Sequence, residues 1–197
     1  MYRHGPGVST RFCDLHHVRP HRNTAMRIGL ISSHQHESAI HLLCEINAYY
    51  NSSSPASKET VREHARENLL STSSPHRIVV AEDEEGRVVG LAAITFAYSI
   101  VEPEVERRSQ CQLKELYVCS SQRSRGIGHA LMAWVAKHAK EHGCSRIDWP
   151  VKSTNAKGIA FYERLGARLV EDRLSYRLAG SKLSELASQG NGQRGVA

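Results

Sequence analysis

Two arginines and two glycines, set between a strand and a helix, carry the clearest chemistry in the sequence. Residues 113–143 read LKELYVCSSQRSRGIGHALMAWVAKHAKEHG. The run begins β-rich, ends its strand at Tyr117 and Val118, and turns through Arg123, Ser124 and Arg125. Gly126, Ile127, Gly128 and His129 then open a helix. The first turn of a helix leaves backbone N–H groups unpaired and carries partial positive charge. Glycine lets an anion approach those groups, and guanidinium groups beside them add fixed charge. Arg123 to His129 therefore form a site for a polyanion, most simply a pyrophosphate. The dinucleotide fingerprint fails here because its third glycine position is Leu131. A Walker loop is excluded by the missing Gly-Lys-Ser/Thr ending.

A second segment, residues 148–169, reads DWPVKSTNAKGIAFYERLGARL: a strand end, a loop holding Asn155, and a helix ending in FYERLGA. Pro150 removes a ladder donor, so its strand is expected to lack a partner along one side near its end. Together, this segment and the R-x-x-G-x-G of Arg123, Gly126 and Gly128 after LYV resemble the N-acetyltransferase family known as GNAT. The resemblance covers roughly residues 77–178. It implies an α+β (α/β) single-domain fold: a mixed, mostly antiparallel twisted sheet with two splayed parallel central strands, flanked by helices. The splayed pair would be Leu113–Val118 and Arg146–Val151. It further implies acetyl-CoA as cosubstrate. The pantetheine arm would pair with the backbone of Leu116, Tyr117 and Val118, and the pyrophosphate would lie along Arg123, Ser124, Arg125, Gly126, Ile127, Gly128 and His129. Asn155 would contact coenzyme A, and Tyr162 would approach its sulfur.

The reaction such a site serves is attack of an amine on a thioester. An alkylammonium of pKa about 10.4 is no nucleophile, so a base helps, and Glu115 stands on the splayed strand. A backbone N–H near Val118 would stabilise the developing oxyanion, and the Tyr162 phenol would donate to the departing thiolate. The expected acceptor is a primary amine of a small molecule, diamine-like or aminoglycoside-like. Alternatives are a protein or peptide amine, or a non-catalytic coenzyme A-binding sensor. Lys114 stands where the small-amine branch often carries a second acid, which speaks against a polyamine-like dication.

The remaining sequence supplies the frame. Hydrophobic residues are 40% and charged residues 23% of 197, a globular composition. The net charge of +6 suits an anionic ligand. The scattered basic residues and scarce aromatics speak against nucleic acid, and no apolar run reaches membrane-spanning length. Five cysteines without a C-x-x-C pair indicate neither zinc nor a disulfide framework, and twelve histidines form no recognisable ligand set, so no metal is expected. A reducing, cytoplasmic setting is expected, and a homodimer is compatible. Residues 1–25 read as a disordered extension, 26–179 as the domain and 180–197 as a flexible tail. Ser33 is expected to cap a first helix, with a second helix at 58–70. Two β-branched runs at 77–81 and 87–98 form a hairpin about Asp83–Gly86, and a final hairpin spans 168–178. In the helix after Gly126, the inward stripe is Ile127, Ala130, Leu131, Trp134, Val135, His138 and Ala139.

Overall fold

The two β-branched runs are the middle of the protein. In the computed structural model, which describes residues 26–190, they form strands β2 (Arg77–Glu82) and β3 (Val88–Tyr98). Residues 78–81 and 88–92 are buried without interruption, the pattern of strands covered on both faces. Their hairpin closes as expected: the Asp83 carboxylate accepts from the N–H groups of Glu85 (3.1 Å) and Arg87 (2.9 Å), and Gly86 takes φ +77°. Strand β1 (Arg27–Leu30) pairs antiparallel with β2, and β4 (Ser109–Val118) pairs antiparallel with β3. Strand β5 (Cys144–Asp148) runs parallel to β4, giving the order β1-β2-β3-β4-β5.

Helix α1 (His36–Tyr50) covers one face, where Ala39 and Leu42 join Ile78, Val80, Val88, Leu91 and Tyr117 in one apolar cluster. Helix α3 (Ile127–Glu141) covers the other. A Cβ on Gly90 would lie 3.1–3.2 Å from Leu131 and Ile127, and strand alternation puts Gly90 and Leu91 on opposite faces. Ile127, Leu131, Val135 and Ala139 of the expected stripe are buried; Met132, outside the stripe, is buried with them. Helix α2 (Lys58–His64) is capped by Ser57 and continues through one π-type turn, Ala65–Leu69. The entry to α1 is held by Ser32 rather than Ser33: the Ser32 N–H donates to Gln35 Oε1 (3.0 Å) across a 3₁₀ turn at Ser33–Gln35. At the end of β2 the buried Glu82 carboxylate takes hydrogen bonds from Arg27 of β1 and from Gln35.

The parallel pair separates early. Strand β5 meets β4 at Ser109, Cys111 and Gln112 and ends at Asp148, two residues before Pro150 instead of running to Val151. Just beyond Gln112 the β3–β4 register slips, with Ala93 opposite Glu115 and Ile94 opposite Leu113. Lys114 is the extra residue of a bulge, a device that bends a strand and re-aims its edge. Among the described residues, 113–118 thus have β3 on one side and no strand on the other.

The pair also lies at an edge of the sheet, not at its centre, because residues 168–178 form no strand and Leu169, Leu174 and Tyr176 are exposed. A two-stranded hairpin is marginal by itself, and here it does not form. Contacts divide the chain into two units, Met1–Trp149 and Pro150–Ala197. The second holds α4 (Ala156–Arg164) and, where a loose tail is expected, α5 (Ser181–Gly190). Residues 1–25, the expected disordered extension, and residues 191–197 of the expected tail lie outside the described residues.

Candidate active site

The open edge of β4 can be read atom by atom. Cys119 N–H donates to the Val89 carbonyl at 2.9 Å, which makes Gly90 and Val118 a non-hydrogen-bonded pair. Two residues back, Ala92 and Leu116 have the same character. The N–H and C=O groups of Leu116 and Val118 therefore point away from β3, into the gap beyond the end of β5. Tyr117 alternates with them, so its backbone belongs to the β3 ladder and not to the gap, contrary to the expectation that all three offer backbone to the pantetheine. Within the gap, Leu116 N–H donates to Glu115 Oε1 (3.1 Å), and the Val118 carbonyl accepts from Arg123 Nε (3.0 Å). Val118 N–H is aimed into the same opening.

The turn after β4 is built for an anion. Ser124 at φ +62° and Gly126 at φ +81° both take left-handed backbone, and Gly126 caps α3. A Cβ at Gly126 would meet nothing within 4 Å, so its requirement is conformational, not spatial. The first bond of the helix is Ala130 N–H to Gly126 O (3.0 Å), which leaves the N–H groups of Ile127, Gly128 and His129 outside the ladder. Arg125 and His129 are exposed beside them. Arg123 is fixed by more than its bond to Val118: its guanidinium lies over the rings of Tyr117 (5.1 Å) and Tyr49 (5.4 Å). These amides and arginines fit a diphosphate, and the exposed backbone of β4 fits an extended amide-bearing arm such as pantetheine.

Helix α1 supplies residues that the sequence reading did not assign to the site. Glu45 accepts from Tyr117 OH (3.1 Å) and from Ser120 N–H (2.8 Å), pinning the end of β4 to the helix. Burial, with Glu45 beside it, pushes the Tyr117 phenol up to about 12, so it serves as a fixed donor and not as an acid. Tyr50 OH donates to Glu115 Oε1 at 3.2 Å. Burial raises the Glu115 carboxyl above the ordinary carboxylate range, against the opposing pull of Leu116 N–H and the Tyr50 hydroxyl. A half-buried carboxylate with a raised pKa at an open strand edge suits proton abstraction. The available signal was the i,i+4 spacing of Glu45 and Tyr49, which puts a carboxylate and a phenol one turn apart on one helix face.

Helix α4, in the second unit, carries the other two assigned side chains. Asn155 is its N-cap, with Oδ1 accepting from Gly158 N–H at 3.0 Å. Tyr162 is half-buried and meets Phe161 edge-on, ring centroids 5.2 Å apart. The structure thus brings Glu115, Leu116, Val118 and the 123–129 turn together within the first unit, and gives Asn155 and Tyr162 within their own helix.

Known proteins resemble this chain in sequence and in fold. Residues 42–167 match the model of the acetyltransferase (GNAT) family. The L-ornithine N5-acetyltransferase of Arabidopsis thaliana is 31% identical over 74 residues, covering 38% of this chain and 32% of that protein. The thialysine N-epsilon-acetyltransferase of Mus musculus is 32% identical over 111 residues, covering 55% of this chain and 62% of that protein. The chain therefore spans about a third and three fifths of these two relatives. An integron cassette protein from the mobile metagenome of V. cholerae superposes with a TM-score of 0.74 at 29% identity, over 82% of this chain and 97% of that one.

Proposed function

The chain belongs to the GNAT acetyltransferase family, and from that premise we propose that it transfers an acetyl group from acetyl-CoA to the primary amine of a small molecule. The observation that carries this reading is the open edge of β4, where Val118 N–H and the Glu115 carboxylate share one gap beside an anion-binding turn. Acetyl-CoA supplies the acetyl group as an activated thioester. The amides of Ile127, Gly128 and His129, with Arg123 and Arg125, hold its diphosphate, and Leu116 and Val118 hold its arm.

Glu115 takes a proton from the incoming ammonium, and the neutral nitrogen forms the new C–N bond as the C–S bond breaks. Val118 N–H donates to the carbonyl oxygen as charge builds there. Tyr162, assigned on the family resemblance, gives its phenolic proton to the departing sulfur; the second proton, shed by the nitrogen as it becomes an amide, passes through solvent to restore the phenol, and Glu115 releases its own to solvent. The products are an acetamide and the free thiol. Cys44, Cys111, Cys119 and Cys144 are unpaired thiols, which suits a reducing cytosol. No helix among the described residues is long and apolar enough to cross a membrane.

Thiol release from acetyl-CoA, followed across small amines, amino acids, aminoglycosides and peptides, tests the proposal. Turnover with small primary amines is expected. Release confined to peptides, or absent with every amine, overturns it.

A further inference from the structure

Between α1 and α2 lies a cavity of about 280 Å³, at the small end of the range for ligand sites. Its walls are apolar: Leu43 and Ile46 from α1, Val61 from α2 and Leu69 beyond it. Five polar residues stand on its rim, Asn51 among them, and the side chains of the other four have partners within the protein. Asn47 Oδ1 accepts from Ala56 N–H (2.8 Å), Thr60 Oγ1 pairs with Ser57 Oγ (3.0 Å), and His64 Nδ1 pairs with Asn68 Nδ2 (3.3 Å). The fourth is Tyr50, which lines the cavity and donates to Glu115 at 3.2 Å. One residue therefore forms both the cavity wall and the hydrogen-bond partner of the carboxylate. No Asp, Glu, Lys or Arg lines the cavity.

From this arrangement we infer that the α1–α2 cavity seats the body of the acceptor, and that the acceptor is a primary monoamine with an apolar body. The inference rests on the acetyltransferase reading above. The ammonium lies at Glu115, and the hydrocarbon runs past Tyr50 into the cavity. A second ammonium, or the zwitterionic head of an amino acid, would lose its water there and meet no counter-charge. Lys114, exposed at the bulge next to Glu115, adds no acid to receive one. The substrate class thus departs from the diamino acids that ornithine and thialysine represent.

The test compares butylamine, pentylamine and hexylamine with 1,6-diaminohexane and ornithine, by thiol release and by the melting shift each amine gives with the intact protein. Along the alkylamine series kcat/KM is expected to rise about fourfold per added CH₂ until the cavity is filled, the fold-change equivalent to about 0.8 kcal/mol. Hexylamine is expected to exceed 1,6-diaminohexane at least tenfold. Thr60→Asp, at an exposed rim position, is expected to narrow that ratio by placing a carboxylate at the cavity. Diaminohexane or ornithine exceeding hexylamine in the wild type, or an unchanged ratio in a folded Thr60→Asp protein, overturns the inference and leaves the acetyltransferase reading standing. A hexylamine melting shift with no turnover of any amine overturns the acetyltransferase reading and keeps the cavity assignment. Neither shift nor turnover overturns both.

Discussion

At Glu115, burial makes the charged form costly while proton abstraction requires it. The folded pKa lies above the unfolded one, so the ionised carboxylate costs stability above the unfolded value of about 4.3 and nothing below it. Glu115→Gln removes both the cost and the base. It is expected to melt higher than the wild type at neutral pH, with the difference vanishing as pH falls below about 4. Its kcat/KM is expected to drop by roughly 10² to 10⁴ and to lose the acid limb of the pH profile, which in the wild type falls as pH drops through the raised pKa. A variant that melts lower, yet keeps its rate and acid limb, would make Glu115 a structural residue. Tyr162→Phe asks a different question. The ring and its edge contact with Phe161 remain, so acetyl-CoA affinity should hold while turnover falls by about 10². Full turnover in that variant would assign Tyr162 to packing and thiolate departure to another donor.

The strand-turn-helix unit at the site depends on two glycines for different reasons. Gly126 needs its left-handed φ of +81°, so Gly126→Ala should cost about 1–2 kcal/mol and weaken acetyl-CoA binding, while Gly126→Asp adds a carboxylate to the anion site and should abolish the acetyl-CoA melting shift. Equal shifts in wild type and Gly126→Asp would remove the turn from the cofactor site. Gly90 is instead a matter of space. A methyl there would sit 3.1 Å from Leu131 and 3.2 Å from Ile127 and the Tyr117 carbonyl, so Gly90→Ala should cost about 1–3 kcal/mol and loosen the first turn of α3. Hydrogen exchange at Ala130 and Leu131, the first amides of the α3 ladder, reads that loosening; unchanged exchange would show that α3 absorbs the methyl. This unit was legible in the sequence because Gly126, the 3.6-residue stripe and Gly143 at φ +72° are all local signals. The Lys114 bulge was not, since no Gly or Pro marks it and only the β3 register reveals it. Tyr50 and Glu115 meet across 65 residues of chain, and Glu45 and Tyr117 across 72, contacts that local pattern cannot disclose. The tail helix α5 was hidden by its Gly, Ser and Gln content, although Lys182 and Glu185 pair at 2.8 Å on its surface.

At the scale of the whole fold, three paired carboxylates among the described residues have lowered pKa values that link folding to acid. Glu82 is held low by its bond from Gln35 and then by Arg27, and Glu37 is held low chiefly by Arg66. At Asp83 burial pushes up, but the Arg87 guanidinium and backbone hydrogen bonds pull further down. Each pKa is lower in the folded than in the unfolded chain. Their stabilisation is therefore present above the ordinary carboxylate range and is lost as pH falls through the depressed folded values. Glu82 matters most, because it is buried and joins β1, β2 and the turn before α1. Glu37 and Asp83 act across exposed or half-exposed guanidinium groups, where solvent weakens the pairing. Through these three pairs the wild-type melting temperature should fall below about pH 4, and between about pH 5 and 7 they add no slope. Glu82→Gln leaves Arg27 without its anion and should cost about 1–3 kcal/mol at neutral pH, the scale for disrupting a buried polar group. Because the variant has less left to lose on acidification, its melting curve should converge on the wild type near pH 3. Curves that stay parallel from pH 7 to pH 3 would show that Glu82 holds its place by packing, and that the acid sensitivity of the fold arises elsewhere.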